Sequence, residues 1–135
     1  MFELLVVAVG GGLGAAARFM VDGEIRDRHN GGFPWGTFVV NVTGSFLIGL
    51  FATLFLTLLH LGVPSSTAHL VQLALVTGLC GGYTTFSTST VESVRLARSG
   101  RMRLALANSL GTLMVTVTAA GLGTWLGTVV SGPYG

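Results

Sequence analysis

Residues 81–90 read GGYTTFSTST: two glycines, then Thr84, Thr85, Ser87 and Thr88 gathered around one phenylalanine, Phe86, without a charge among them. Two further polar sets flank this segment in the chain. Thr37, Asn41 and Ser45 recur every four residues, and so do Asn108, Thr112 and Thr116; that spacing puts each set on one helix face. Uncharged hydroxyls and amides are suited to hydrogen bonding. Their two uses in an apolar chain are bonding one helix to another and replacing the water around a small ion. Both uses stand open for each stripe. Either way both asparagines are expected to face protein or water, because hydrocarbon offers an amide no partner.

The glycines sharpen the choice at 81–90. Gly81 and Gly82 are poor helix residues, and the Thr and Ser side chains that follow compete for the local backbone. The segment is expected to unwind a helix, and irregular backbone at membrane depth is tolerated where protein or a water-filled cavity satisfies it. Broken helices place ion sites, since freed carbonyls face cations and freed N–H groups face anions; a plain kink is the alternative. Arg18 either snorkels to the interface or sets a positive potential inside the protein. Glu92 reads as a helix-end partner of Arg95 or as a vestibule group. His60 and His69 flank a loop and read as interfacial. Cys80 is the single cysteine, so no intrachain disulfide or thiolate cluster forms.

These residues need elements to carry them. Half of the chain is hydrophobic, the mean hydropathy is +0.76, and 9% of residues are charged, against about 25% in soluble domains. The composition is that of an integral membrane protein with one domain, residues 1–135. About 20 apolar residues cross a bilayer, and four stretches qualify: 2–21, 37–61, 68–98 and 102–130. The expected fold is all-α, with four transmembrane helices and a break in the third. Polar loops at 22–36 and 96–103 and a Pro-Ser turn at 61–69 join them, and Gly100 is the expected helix stop in the third connection. Gly10/Gly14 and Gly123/Gly127 have the spacing of close helix packing, within a bundle or across a dimer.

Other classes are excluded on similar grounds. The chain has no lysine, so it contains no Walker A loop. Its pI near 9.3 rests on a few arginines, too few to track a nucleic-acid backbone. The run LLVVAVGGGLGAAARF imitates a strand and a dinucleotide turn, yet the alternating strands and helices of a Rossmann unit do not follow. Met1-Phe2-Glu3 lacks a positive n-region, so the first apolar run is expected to stay as a helix.

Taken together, GGGLGAAARF (10–19), GTFVVNVTGSFLIG (36–49), GGYTTFSTSTVE (81–92) and ALANSLGTLMVTVTAAGLG in the fourth span resemble the Fluc (CrcB-type) fluoride channel family over nearly the whole chain. The resemblance implies a four-helix subunit of an antiparallel dimer with two passive fluoride pores, in the cell's inner membrane and not an enzyme. It implies that Asn41, Phe86, Ser87, Thr88, Asn108 and Thr112 line the anion path, with Arg18 and Glu92 in supporting or vestibule positions. A structural Na+ at the dimer centre would take backbone carbonyls of Gly81 and Thr84. Two alternatives are a small multidrug-type proton-coupled transporter, for which Glu3 is a badly placed carboxylate, and a non-conducting structural partner subunit.

Two departures matter. The family places a second phenylalanine three residues after the first, and here that position is Ser89. Charge is also one-sided: Arg26, Arg28, Arg95, Arg98, Arg101 and Arg103 fall in the loops of one side, and the other side has no Lys or Arg. The positive-inside rule then assigns one orientation, with both termini outside. Such a chain is expected to pair with a homologous subunit of opposite bias. A topology reporter fused to the C-terminus should be found outside only; comparable signal on both sides would overturn that orientation.

Overall fold

The computed structural model describes residues 1–29 and 31–132. Among them the protein is helical, with four helices long and apolar enough to cross a membrane: Phe2–Arg28, Trp35–His60, Ser65–Arg98 and Met102–Ser131. The first two are the continuous helices α1 (Phe2–Arg28) and α2 (Trp35–His60). The third span is composite. α3 (Ser65–Gln72) passes through a π-helical stretch, Leu73–Cys80, into the short α4 (Gly81–Tyr83), and α5 (Phe86–Arg98) completes it. The fourth runs from α6 (Met102–Leu106) through a second π-helical stretch, Ala107–Gly111, into α7 (Thr112–Ser131).

The first helix is longer than its apolar run. Residues 22–28, read from their polarity as loop, continue α1. Arg26 Nη2 donates to Asp22 Oδ2 at 2.7 Å and Arg28 Nε to Glu24 Oε1 at 2.8 Å. Pairs four residues apart each stabilise an exposed helix by about 0.2–0.5 kcal/mol, enough to carry the helix beyond the lipid. The third connection turns at Gly100, whose φ of +77° is the left-handed geometry that glycine adopts without a Cβ clash.

Between Tyr83 and Phe86 two residues are extended: Thr84 at φ −75°, ψ 157° and Thr85 at φ −149°, ψ 121°. The Thr85 side chain caps α5 by accepting the Thr88 N–H at 3.3 Å.

Glycines set the distances between spans. α2 lies along α7, where a Cβ on Gly49 would overlap the Ala120 carbonyl and one on Gly123 the Phe46 carbonyl. α1 lies equally close to the third span: a Cβ on Gly10 would come within 2.7 Å of the Ala74 carbonyl oxygen, and one on Gly14 would overlap that of Leu79. Both small-residue pairs found in the sequence are therefore used inside one subunit. With lipid tails as apolar as leucine, such backbone approach is what van der Waals packing in a membrane requires.

The ends of the bundle differ. The guanidinium of Arg101 packs on Gly32, which brings the first and third connections together. At the opposite end Thr57 Oγ1 donates to Ser131 Oγ at 2.6 Å, and Glu3 Oε1 lies 3.9 Å from His69 Nε2. The arginines at 26, 28, 95, 98, 101 and 103 thus share one end. Gly123→Ala should push α2 and α7 apart, costing about 1–3 kcal/mol and lowering the thermal unfolding midpoint in detergent. Gly121→Ala, with open space around it, should leave the midpoint unchanged.

Candidate functional site

The extended pair Thr84–Thr85 creates a hydrogen-bonding problem that α2 solves. Asn41 Nδ2 donates to the Thr85 carbonyl at 2.9 Å, and the Thr85 N–H donates to Asn41 Oδ1 at 2.8 Å. One amide therefore satisfies both backbone groups of one residue, and Asn41 is buried. Because the Thr85 N–H turns to Asn41, it leaves the Gly81 carbonyl four residues back outside the helical ladder. The Cys80 carbonyl accepts both the Thr84 N–H at 2.9 Å and Thr84 Oγ1 at 3.0 Å. Arg18 Nη1 reaches the Thr84 carbonyl at 3.4 Å. Gly44 gives Thr84 room, since a Cβ there would overlap its methyl group.

A groove of about 490 Å³ opens at this point. Asn41, Ser45, Thr84 and Thr85 form one wall, Ser109, Thr112 and Thr116 the other, and Ser89 and Ser93 lie between them. Phe86 stands at its rim with 87% of its surface exposed. The accessible lining is mostly apolar and is interrupted by hydroxyl and amide groups, and it contains no ionisable side chain. The first turn of α5 begins here, and the N–H groups of a first turn lack intrahelical acceptors. The hydroxyls of Thr84, Thr90, Ser93 and Thr116 already donate to backbone carbonyls, so the donors left to the groove are those N–H groups and the hydroxyls of Ser45, Ser89 and Ser109.

The two asparagines do different work. Asn108 is fully buried; its Nδ2 donates to the Ser89 carbonyl at 3.1 Å and to Ser93 Oγ at 2.8 Å, while Thr112 Oγ1 lies 3.5 Å from its Oδ1. It ties α5 to the fourth span from behind the groove wall.

The remaining sequence-selected residues line other spaces. Ser87, Thr88 and Glu92 border a cavity of about 270 Å³ with Arg26 and Arg95. Arg18 and Thr88 border another of about 310 Å³ with Asp22, Thr37 and Thr85. The hydroxyls of Thr85 and Thr88 are 3.0 Å apart, and Thr85 borders both this space and the groove. Thr37 Oγ1 donates to Glu92 Oε1 at 3.0 Å, and Arg26 Nη2 is 3.9 Å from the same oxygen. Glu92 Oε2 and Asp22 Oδ1 are buried without a partner among the described residues. The His60 ring bonds the Leu56 carbonyl at 2.9 Å, and no cluster of three metal-ligating side chains occurs among the described residues.

A family model described as CrcB-like protein, Camphor Resistance (CrcB), matches residues 5–127. The chain belongs to this family. It is 45% identical over 130 residues to a protein of Leifsonia xyli subsp. xyli named fluoride-specific ion channel FluC 1, covering 96% of this chain and 90% of that one. It is 42% identical over 116 residues to fluoride-specific ion channel FluC of Nitrobacter winogradskyi, covering 86% and 87%. It is likewise 42% identical over 127 residues to fluoride-specific ion channel FluC 2 of Cutibacterium acnes, covering 94% and 98%.

Within this CrcB-family chain, sequence reasoning missed Thr85 as the residue that Asn41 holds. A signal was present: threonine just before a helix start is a strong N-cap, and the N–H it accepts lies three residues on. Thr37 as a donor to Glu92 left no comparable trace, because the contact joins α2 to α5. Asn41→Ala should strand the Thr85 N–H and C=O, at about 1–3 kcal/mol for each buried group. Asn41→Asp keeps the acceptor for the Thr85 N–H but turns a buried carboxylate oxygen toward the Thr85 carbonyl and should lose at least as much; thermal unfolding of the purified protein measures both.

Proposed function

We propose that this chain is a subunit of a passive, fluoride-selective channel that lets fluoride leave the cytoplasm and so protects the cell from fluoride toxicity. Family membership supports this reading, as do relatives named for fluoride-specific conduction. The observation within the chain that carries it is the Asn41–Thr85 pair of bonds, which presents the first turn of α5 and Phe86 to a groove of neutral donors.

The chemistry follows from the ion. Fluoride is small and strongly hydrated, so a selective path replaces its water with close donors: hydroxyls, N–H groups and the positive edge of an aromatic ring. The α5 first turn adds the positive end of a helix dipole. Neutral donors also let the ion go, and conduction requires sites that release as well as bind. A negative interior drives an anion outward at about 2.3 kcal/mol per charge per 100 mV, so conduction needs no coupled reaction. Glu3 is exposed in the first turn of α1, which is the wrong place for the buried carboxylate of a proton-coupled transporter.

The groove is open on one side, and exposed Phe86 stands at its rim, an arrangement suited to a second subunit completing the path. An antiparallel dimer in the plasma membrane supplies one. The one-sided arginines support a cytoplasmic position for their end, extracytoplasmic termini, and a partner that is a homologous subunit of opposite orientation. The carbonyls of Gly81 and Thr84 suit a structural Na+ at the dimer centre: the first is outside the helical ladder, and the second has a free lone pair beside its long bond from Arg18. Neutral backbone carbonyls are what sodium takes from interrupted helices.

Liposomes carrying this chain with an oppositely biased homologue should release fluoride, read by a fluoride electrode, and retain chloride. Phe86→Ala should cut the flux by about tenfold, equivalent to about 1.4 kcal/mol. Unchanged flux in that variant, or chloride release alongside fluoride, would overturn the reading.

A further inference from the structure

Arg95, Arg98, Arg101 and Arg103 fall within nine residues spanning the end of α5 and the start of α6. All four are exposed, and none is paired with a carboxylate among the described residues. Arg26 and Arg28, at the same end, each have an acid one turn away. One intramolecular role could absorb part of the unpaired charge. Arg95 and Arg98 lie in the last turn of α5, where cations complement the helix dipole. Arg101 and Arg103 have the opposite placement: they are the N-cap and second residue of α6, at the positive end of the dipole, where a cation is disfavoured. Neither arginine therefore gains from the dipole of the helix it begins.

The setting shows what would offset this. The Arg101 guanidinium is laid on Gly32, next to an aromatic cluster in which the Phe33 and Trp35 rings are 4.8 Å apart and Phe38 lies 5.8 Å from each. Trp35 is 44% exposed. Tryptophan at the end of membrane spans marks headgroup level, so these arginines lie at the depth of lipid phosphates. Guanidinium groups bind phosphate oxygens through paired N–H donors. Orientation during insertion accounts for positive charge on this side, but it does not account for Arg101 being laid over Gly32 beside the aromatic rings.

We propose that Arg101 and Arg103, with the exposed ring of Trp35, bind the phosphodiester headgroup of an anionic phospholipid of the adjoining leaflet. Basic residues at a membrane surface attract such lipids at about 1 kcal/mol each, roughly fivefold in association.

The test uses the full chain in phosphatidylcholine bilayers with trace spin-labelled phosphatidylglycerol or phosphatidylcholine, and reads the protein-immobilised fraction of each. Phosphatidylglycerol should be favoured by about fivefold or more. R101Q/R103Q should bring the two near parity, and R26Q/R28Q should leave the preference in place. R101K/R103K keeps the charge that orients the chain but loses the paired donors, and should fall between wild type and R101Q/R103Q; it serves if the glutamine variant fails to insert. Parity in the wild type, or a preference that survives R101Q/R103Q or is undiminished in R101K/R103K, would overturn the proposal. So would displacement of the labelled lipid by millimolar inorganic phosphate, which would make this a free-anion site. Lipid association is read without flux, so neither result bears on conduction.

Discussion

A membrane interior gives a polar backbone group no partner, and an unpaired one costs several kcal/mol. The extended pair Thr84–Thr85 meets that constraint with one side chain. Asn41 returns both bonds that Thr85 loses by leaving the helix, the Cys80 carbonyl takes both donors of Thr84, and the Thr85 hydroxyl closes the start of α5. With these bonds made, α5 can begin in mid-span and the groove can have polar walls. Without them the same sequence would have to stay helical through 84 and 85, and Phe86 would rotate away from the groove.

Charge and polarity are kept apart along the bundle axis. The middle of the molecule offers hydroxyls, amides and helix-end N–H groups, and the acids other than Glu3 and most arginines are gathered at one end. Arg18 is the exception, and it lies against the Thr84 carbonyl without entering the groove lining. A fixed charge in the groove would set one deep well for an ion of opposite sign, whereas dispersed dipoles set several shallow ones. The Asp22–Glu92 region, with Thr37, Arg26 and Arg95 around it, has the contrary character: strong groups, partly unpaired, near water.

Much of this was legible from residue types and spacing. Four spans followed from length and apolarity, and the polar stripes followed from a spacing of four. The roles of Asn41 and Asn108 did not, because the two stripes look alike in sequence. Only the neighbour tells them apart: Asn41 faces an extended backbone across from α2, and Asn108 faces the serines of α5. The extension of α1 through 22–28 was hidden because exposed helix and loop share a polar composition; only the four-residue spacing of Asp22 with Arg26 and Glu24 with Arg28 separates them. The π-helical stretches carry no sequence signal that distinguishes them from ordinary helix.

The contact between α2 and α7 has a mechanical meaning. At Gly49 and Gly123 backbone meets backbone on both sides of the same interface, so the joint holds few side chains that could change rotamer and absorb displacement. Sliding one helix along the other would drive a side chain into a carbonyl where a glycine now passes. The two helices are therefore a single stiff plate, carrying Asn41 and Ser45 on one edge of the groove and Thr112 and Thr116 on the other. The spacing of those two edges is therefore set by backbone contact and not by side-chain rotamers.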